Sequence, residues 1–197
     1  MTAEHPARAR GNSVFAARHW LLIGLLGVLS WALGFPAAAA ERPEHEVKAA
    51  FLYNFGKYVR WPKRAAGPDT PFVIALLGAD PFGAALDDIV RGNRIGDRPV
   101  AVKRVSKLSE LGACEVLFIS ASEDAQLEKI LAELPKTPIL TVGDMPKFVE
   151  RGGMIGLVMA NRRVQFEVNA DAAERAGLVL GSQLMRLARA VVDAKAR

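Results

Sequence analysis

Cysteine and histidine set the first limits on what chemistry this chain can perform. It carries one cysteine, Cys114, and three histidines, of which only His45 lies beyond residue 40. A zinc site of the His/Cys type needs three or four ligands, which these residues cannot supply. A Ser-His-Asp or Cys-His arrangement would have to use His45, which stands in a polar lead-in before the first apolar periodicity. One cysteine allows no intramolecular disulfide. Cys114 opens the apolar run CEVLFIS and reads as a small buried hydrophobe. The carboxylates Asp80, Asp87, Asp88 and Asp144 could in principle serve acid–base chemistry, but no motif links them. No metal and no cofactor are expected.

What remains is recognition chemistry, concentrated in residues 47–62, VKAAFLYNFGKYVRWP. Both tyrosines of the chain, Tyr53 and Tyr58, lie there with Phe51, Phe55 and Trp61. Val47, Phe51, Phe55, Tyr58 and Val59 recur at three- and four-residue steps, the period of one helical face. The spacing predicts an amphipathic helix that Pro62 stops. Tyr53 and Trp61 fall off the main stripe, where a ring can serve a core or an interface equally well. With Arg60 they form one half of a candidate partner-binding surface. The other half is Arg163 and Glu167, on the charged face of a C-terminal strand. The surface requires helix and strand to lie side by side.

Ahead of that helix the chain reads as an export signal. Arg8, Arg10 and Arg18 form a basic flank, Leu21–Leu33 is uncharged and apolar, and Ala37–Ala40 precede Glu41. This pattern predicts a secretory signal peptide over residues 1–40, cut after Ala40, and a single domain over residues 41–197. Three of the 26 basic residues and one of the 21 acidic ones fall in the leader, leaving a balance of +3. Without a basic block or a nucleic-acid-binding motif, nothing points to nucleic acid.

The domain changes period along its length. Phe72–Leu77, FVIALL, is a continuous apolar run that predicts a strand covered on both faces. Asp80–Val90 predicts a capped helix with Phe82, Leu86 and Ile89 inward. RGNRIGDRP reads as a basic loop, Val100–Val105 as a half-exposed strand near an edge, and Val116–Ile119 as a buried strand. Ser120 and Glu123 form a capping box ahead of a helix carrying Leu127, Ile130, Leu131 and Leu134. Pro138–Val142 predicts another short strand. Met154–Met159 and Val164–Asn169 predict a hairpin across a short basic turn. Asn169 or Asp171 then caps a short helix ended by Gly177. A last helix places Leu184, Leu187, Ala188 and Val191 on one side. This order predicts a three-layer, Rossmann-like α/β domain: a mainly parallel sheet ending in an antiparallel hairpin, with helices on both faces.

The helix VKAAFLYNFGKYVRWP, the strand CEVLFIS, the hairpin GGMIGLVMANRRVQFEVN and the segment AAERAGLVLGSQLMRLA together resemble the YfiR-like periplasmic proteins, over about Glu44 to Val192. The resemblance implies a non-enzymatic periplasmic regulator that restrains an inner-membrane diguanylate cyclase through its periplasmic sensor region, lowering cyclic di-GMP. It also implies a homodimer. Redox control through paired cysteines does not carry over, because Cys114 has no second cysteine to join. Accessory roles beside a sensor kinase or an outer-membrane receptor stay open. So does a small-molecule sensor using the crevice at Gly78–Phe82 and Gly143–Met145.

Overall fold

The computed structural model describes residues 42–62 and 69–192. The predicted signal peptide falls on residues 1–40, outside the described ones. The first described element is helix α1, Glu44–Tyr58. Glu44 and Glu46 in its first turn and Lys57 in its last complement the helix dipole. Its buried stripe is Ala49, Leu52, Tyr53, Phe55 and Gly56. That is rotated from the predicted face: Phe51 is half-buried and Tyr58 is 43% exposed. The helix also ends three residues earlier than Pro62 would require. Val59–Arg60 leave it as a short strand, β1. The cause is tertiary, since Val59 pairs with Leu180 and Arg60 with Val179 of β9, Val179–Leu180, in an antiparallel ribbon.

Eight strands form the main sheet. In chain order they are β2 (Phe72–Leu77), β3 (Arg94–Ile95), β4 (Arg98–Val105), β5 (Val116–Ile119), β6 (Leu140–Gly143), β7 (Ile155–Ala160), β8 (Arg163–Asn169) and β10 (Ala190–Val192). Their spatial order is β3-β4-β2-β5-β6-β7-β8-β10. β4, β2, β5, β6 and β7 run parallel, the β7–β8 pair is antiparallel, and β10 is parallel to β8. The architecture is the α/β arrangement that the alternating strands and helices predict.

The apolar runs work by alternation inside the sheet. Phe72, Ile74, Leu76, Val116, Phe118, Leu140 and Val142 pack into one layer with α1, helix α2 (Ala84–Val90), and the later helices α4 (Ala170–Arg175) and α5 (Ser182–Leu187). Ala75, Leu77, Leu117 and Ile119 face the other way, onto helix α3 (Leu127–Glu133), Met145 and Phe148. A strand buried on both faces has no polar side to show, so it reads as unbroken hydrophobicity.

Three further expectations shift. The Asp80–Val90 helix is only α2: Asp80 Oδ1 instead accepts hydrogen bonds from the Phe82 and Gly83 amides, at 2.7 and 3.2 Å, forming a turn ahead of it. The basic loop contains β3, which folds back antiparallel on β4. The last helix stops at Leu187, and Val191 leaves for β10, where it pairs with Val168. Leu187 is therefore 70% exposed rather than packed on an apolar stripe. Asn169 caps α4, its side chain accepting from the Ala172 amide at 2.9 Å.

Candidate partner-binding surface

Trp61 sits where α1, β1 and β2 meet. Its ring packs edge-on against Phe72, with centroids 5.4 Å apart, and its Nε1–H donates to the Gly56 carbonyl at 3.1 Å. The partly buried indole borders a groove of about 480 Å³ lined by Lys57, Val59, Ile95, Asp97 and Arg98. Gly56 lets this contact form, because a Cβ there would press on Ile95 and Phe72. Arg98 lies over the Phe72 ring at 5.5 Å and pairs with buried Glu115 at 2.6 Å.

Tyr53 is not part of any open surface. It is buried, its hydroxyl donates to the Arg94 carbonyl at 3.2 Å, and Lys57 covers its ring at 4.8 Å. Its work is to hold β3 against α1. Arg60 is exposed in β1, pointing away from Val59 on the outer side of the ribbon with exposed Val179.

Helix and hairpin do lie side by side. Phe166 of β8 packs on Phe51 and Phe55 of α1, with ring centroids 5.5 and 5.1 Å apart. That same contact separates the predicted residues. Period-2 alternation along β8 turns Val164, Phe166 and Val168 toward α1, and Arg163 and Glu167 toward the opposite face. Arg163 is exposed at the hairpin end, and Glu167 pairs with Arg189 at 3.3 Å. The structure thus presents two separate places: Trp61 with its groove, and the margin formed by β8 and β10. Alternation was available from the sequence; which face α1 would cover was not.

At the carboxyl ends of the parallel strands the loops are tied to one another. The Ala79 amide donates to Ser122 Oγ at 3.0 Å, and the Ala121 amide to Asp144 Oδ1 at 3.3 Å. Gly78, at φ +88°, lies so close to Ser122 and Glu123 that a Cβ would overlap them. Lys48 of α1 closes the top, bonding Asp144 at 2.9 Å and Glu44 at 2.8 Å. Burial acts to lower the pKa of Lys48, but its hydrogen bonds to Glu44 and Asp144 outweigh this and hold it above the usual lysine value. Asp80 and Asp87 are both taken up by Arg104, at 2.8 and 2.7 Å. The hydrogen bond from Arg104 keeps the Asp87 carboxyl below its ordinary range. Three of the four carboxylates that could have carried acid–base chemistry thus serve as structural ties, and Asp88 pairs with Arg91 at 2.8 Å.

A family model described as YfiR/HmsC-like matches residues 45–189. The chain belongs to the YfiR/HmsC-like family. The match runs from the start of α1 to the threshold of β10, so it takes in Trp61 and strand β8. Among solved structures, a conserved domain protein from Vibrio cholerae is similar at 10% identity and a TM-score of 0.53, over 75% of this chain and 60% of that one. The ABC domain in complex with L-Trp from Streptococcus pneumonia is similar at 9% identity and a TM-score of 0.51, over 76% and 60%. This chain spans 60% of the length of each, and at such identities the likeness is one of fold. Among the described residues no helix is long and apolar enough to cross a membrane.

Proposed function

We propose that this YfiR/HmsC-like protein is a non-enzymatic periplasmic regulator that binds the sensor region of an inner-membrane diguanylate cyclase and restrains it. The observation that carries the reading is the family match across residues 45–189, nearly all of the described domain. The engagement of Asp80, Asp87 and Asp144 in structural ion pairs supports it, because groups tied this way are poorly placed to act on a substrate. Export would follow cleavage after Ala40, and the working form would be a homodimer.

Mechanistically the protein acts by shifting a population. Binding one conformation of the sensor domain more tightly than the other holds the cytoplasmic catalytic part inactive. A nearly complete change needs a preference of about 5 kcal/mol. Deleting the gene should raise cyclic di-GMP, and supplying the exported protein should reverse the rise. A variant without residues 1–40 should not restore control. An unchanged level in the deletion strain would move the assignment to a sensor kinase or an outer-membrane receptor.

One observation favours a second role as a small-molecule sensor. A cavity of about 380 Å³ opens between Leu134–Thr137, Met154 and α4, with an apolar floor, Thr137 and Thr141 for hydrogen bonds, and Lys136 and Arg175 at its rim. No carboxylate lines it. Screening anionic metabolites by thermal shift tests this reading, since a ligand at a hundred times its dissociation constant adds about 2.7 kcal/mol.

A further inference from the structure

The margin of the sheet formed by β8 and β10 combines exposed arginines, exposed apolar side chains and an unpaired stretch of strand edge. From Met159 to Asn169 and from Ser182 to Val192 there are four arginines, Arg162, Arg163, Arg186 and Arg189, and one carboxylate, Glu167. All four arginines are exposed. Glu167 is committed to Arg189, while Arg162, Arg163 and Arg186 have no ion pair among the described residues. Large apolar side chains are exposed along the same margin: Met159, paired with Val164, is 49% exposed, Leu187 70%, and Val191, paired with Val168, 39%, so Met159 and Val191 lie on the face opposite Arg163.

The backbone is open here as well. β10 ends the strand order and pairs with β8 from Glu167 to Asn169, the Arg189 amide reaches the Phe166 carbonyl at 2.8 Å, and beyond it Val164 has no strand neighbour on that side. At the opposite end of the sheet, β3 is two residues long and Tyr53 ties its Arg94 carbonyl to α1. An unpaired strand edge accepts another extended chain through main-chain hydrogen bonds.

The hairpin turn adds an independent sign. Asn161 and Arg162 both have positive φ, 51° and 59°. The second position of such a turn favours glycine, because a side chain there crowds the backbone. Arg162 stands where glycine would fit without strain, and its charge lies at the tip of the margin.

We infer that the β8–β10 margin is a docking edge for an extended, acidic polypeptide segment of the partner, with apolar residues alternating among its carboxylates. The arginines meet the carboxylates, Met159, Leu187 and Val191 meet the apolar side chains, and the free edge of β8 supplies the strand pairing. A polypeptide fits better than a lipid headgroup because an anionic membrane surface would leave the unpaired strand edge without a partner. The inference rests on the partner-binding reading above but is tested without any cyclase. It therefore fails separately: a rise in cyclic di-GMP on deletion with no docking here would keep the regulator and discard this edge.

The probe is a fluorescently labelled seven-residue peptide alternating glutamate and valine, titrated into the protein purified from its host. A lysine–valine counterpart and phosphatidylglycerol vesicles serve as the comparison ligands. The glutamate–valine peptide should bind saturably and weaken about tenfold or more between about 0.05 and 0.5 M salt. Combining Arg163→Glu with Arg186→Glu should cost about tenfold or more in affinity. Arg162→Gly should weaken binding while leaving the melting temperature unchanged or higher, which a purely structural arginine would not do. Three results would overturn the proposal: no binding of the acidic peptide, equal binding of the basic one, or variants that bind like the wild type. Binding to the vesicles with none to the peptide would overturn it too and assign the arginines to a lipid surface.

Discussion

Trp61 carries two roles in one side chain. One edge is fixed by the Gly56 carbonyl and by Phe72, and one face is left to the groove. Trp61→Ala should therefore cost about 2–3 kcal/mol in urea unfolding, less than the 3–5 of a fully buried ring. Tyr53 differs, although both rings lie off the stripe that the spacing predicts. Its hydroxyl is a tie to β3, so Tyr53→Phe should destabilise by about 1 kcal/mol and leave partner affinity unchanged. Loss of affinity at constant stability in Tyr53→Phe would return that residue to the interface. Asp87 and Glu128 have carboxyls held below their ordinary range, in each case first by a hydrogen bond from an arginine, Arg104 and Arg151 respectively. A depressed folded pKa contributes stability above the unfolded value, lost as pH falls through the folded one. Both pairs are exposed, so each contribution is small. Asp87→Asn should flatten the decline in melting temperature below about pH 4, and an identical acid profile in the variant would exclude that linkage.

At the scale of elements, legibility followed how local the cause was. FVIALL read correctly as a doubly covered strand because its own run length carries that information. The hairpin at Ala160–Arg163 and the Asn169 cap were equally local. The end of α1 was not, since Val59–Arg60 are pulled out of the helix by Val179–Leu180, far along the chain. β10 was missed for the same reason: LMRLARAVV has helical spacing, and only the waiting edge of β8 makes its last part a strand. Arg163, Glu167 and Trp61 were legible as exposed or half-exposed positions, but their division between two faces depended on where α1 docks. The segment after β6 shows how tightly the second layer is set. Phe148 packs between Gly143 and Gly153 so closely that a Cβ at either would overlap its ring. Gly153→Ala should cost about 1–3 kcal/mol, read from thermal unfolding. A neutral result would mean that the Phe148 ring can move aside.

At the scale of the whole described domain, an α/β sheet has packed layers on both faces, loops tied together at the carboxyl ends of its parallel strands, and the β8–β10 margin at one end. Trp61 with its groove and strand β8 lie within residues 45–189, the part that matches the family. The central claim is that the protein restrains a cyclase from the periplasmic side. The most direct measurement is cyclic di-GMP synthesis in spheroplasts of a deletion strain, titrated with the purified protein. The account predicts a saturable fall in synthesis that the Arg163→Glu, Arg186→Glu variant produces only at about tenfold or more higher concentration. Synthesis that stays constant across a saturating range of the wild-type protein would contradict it.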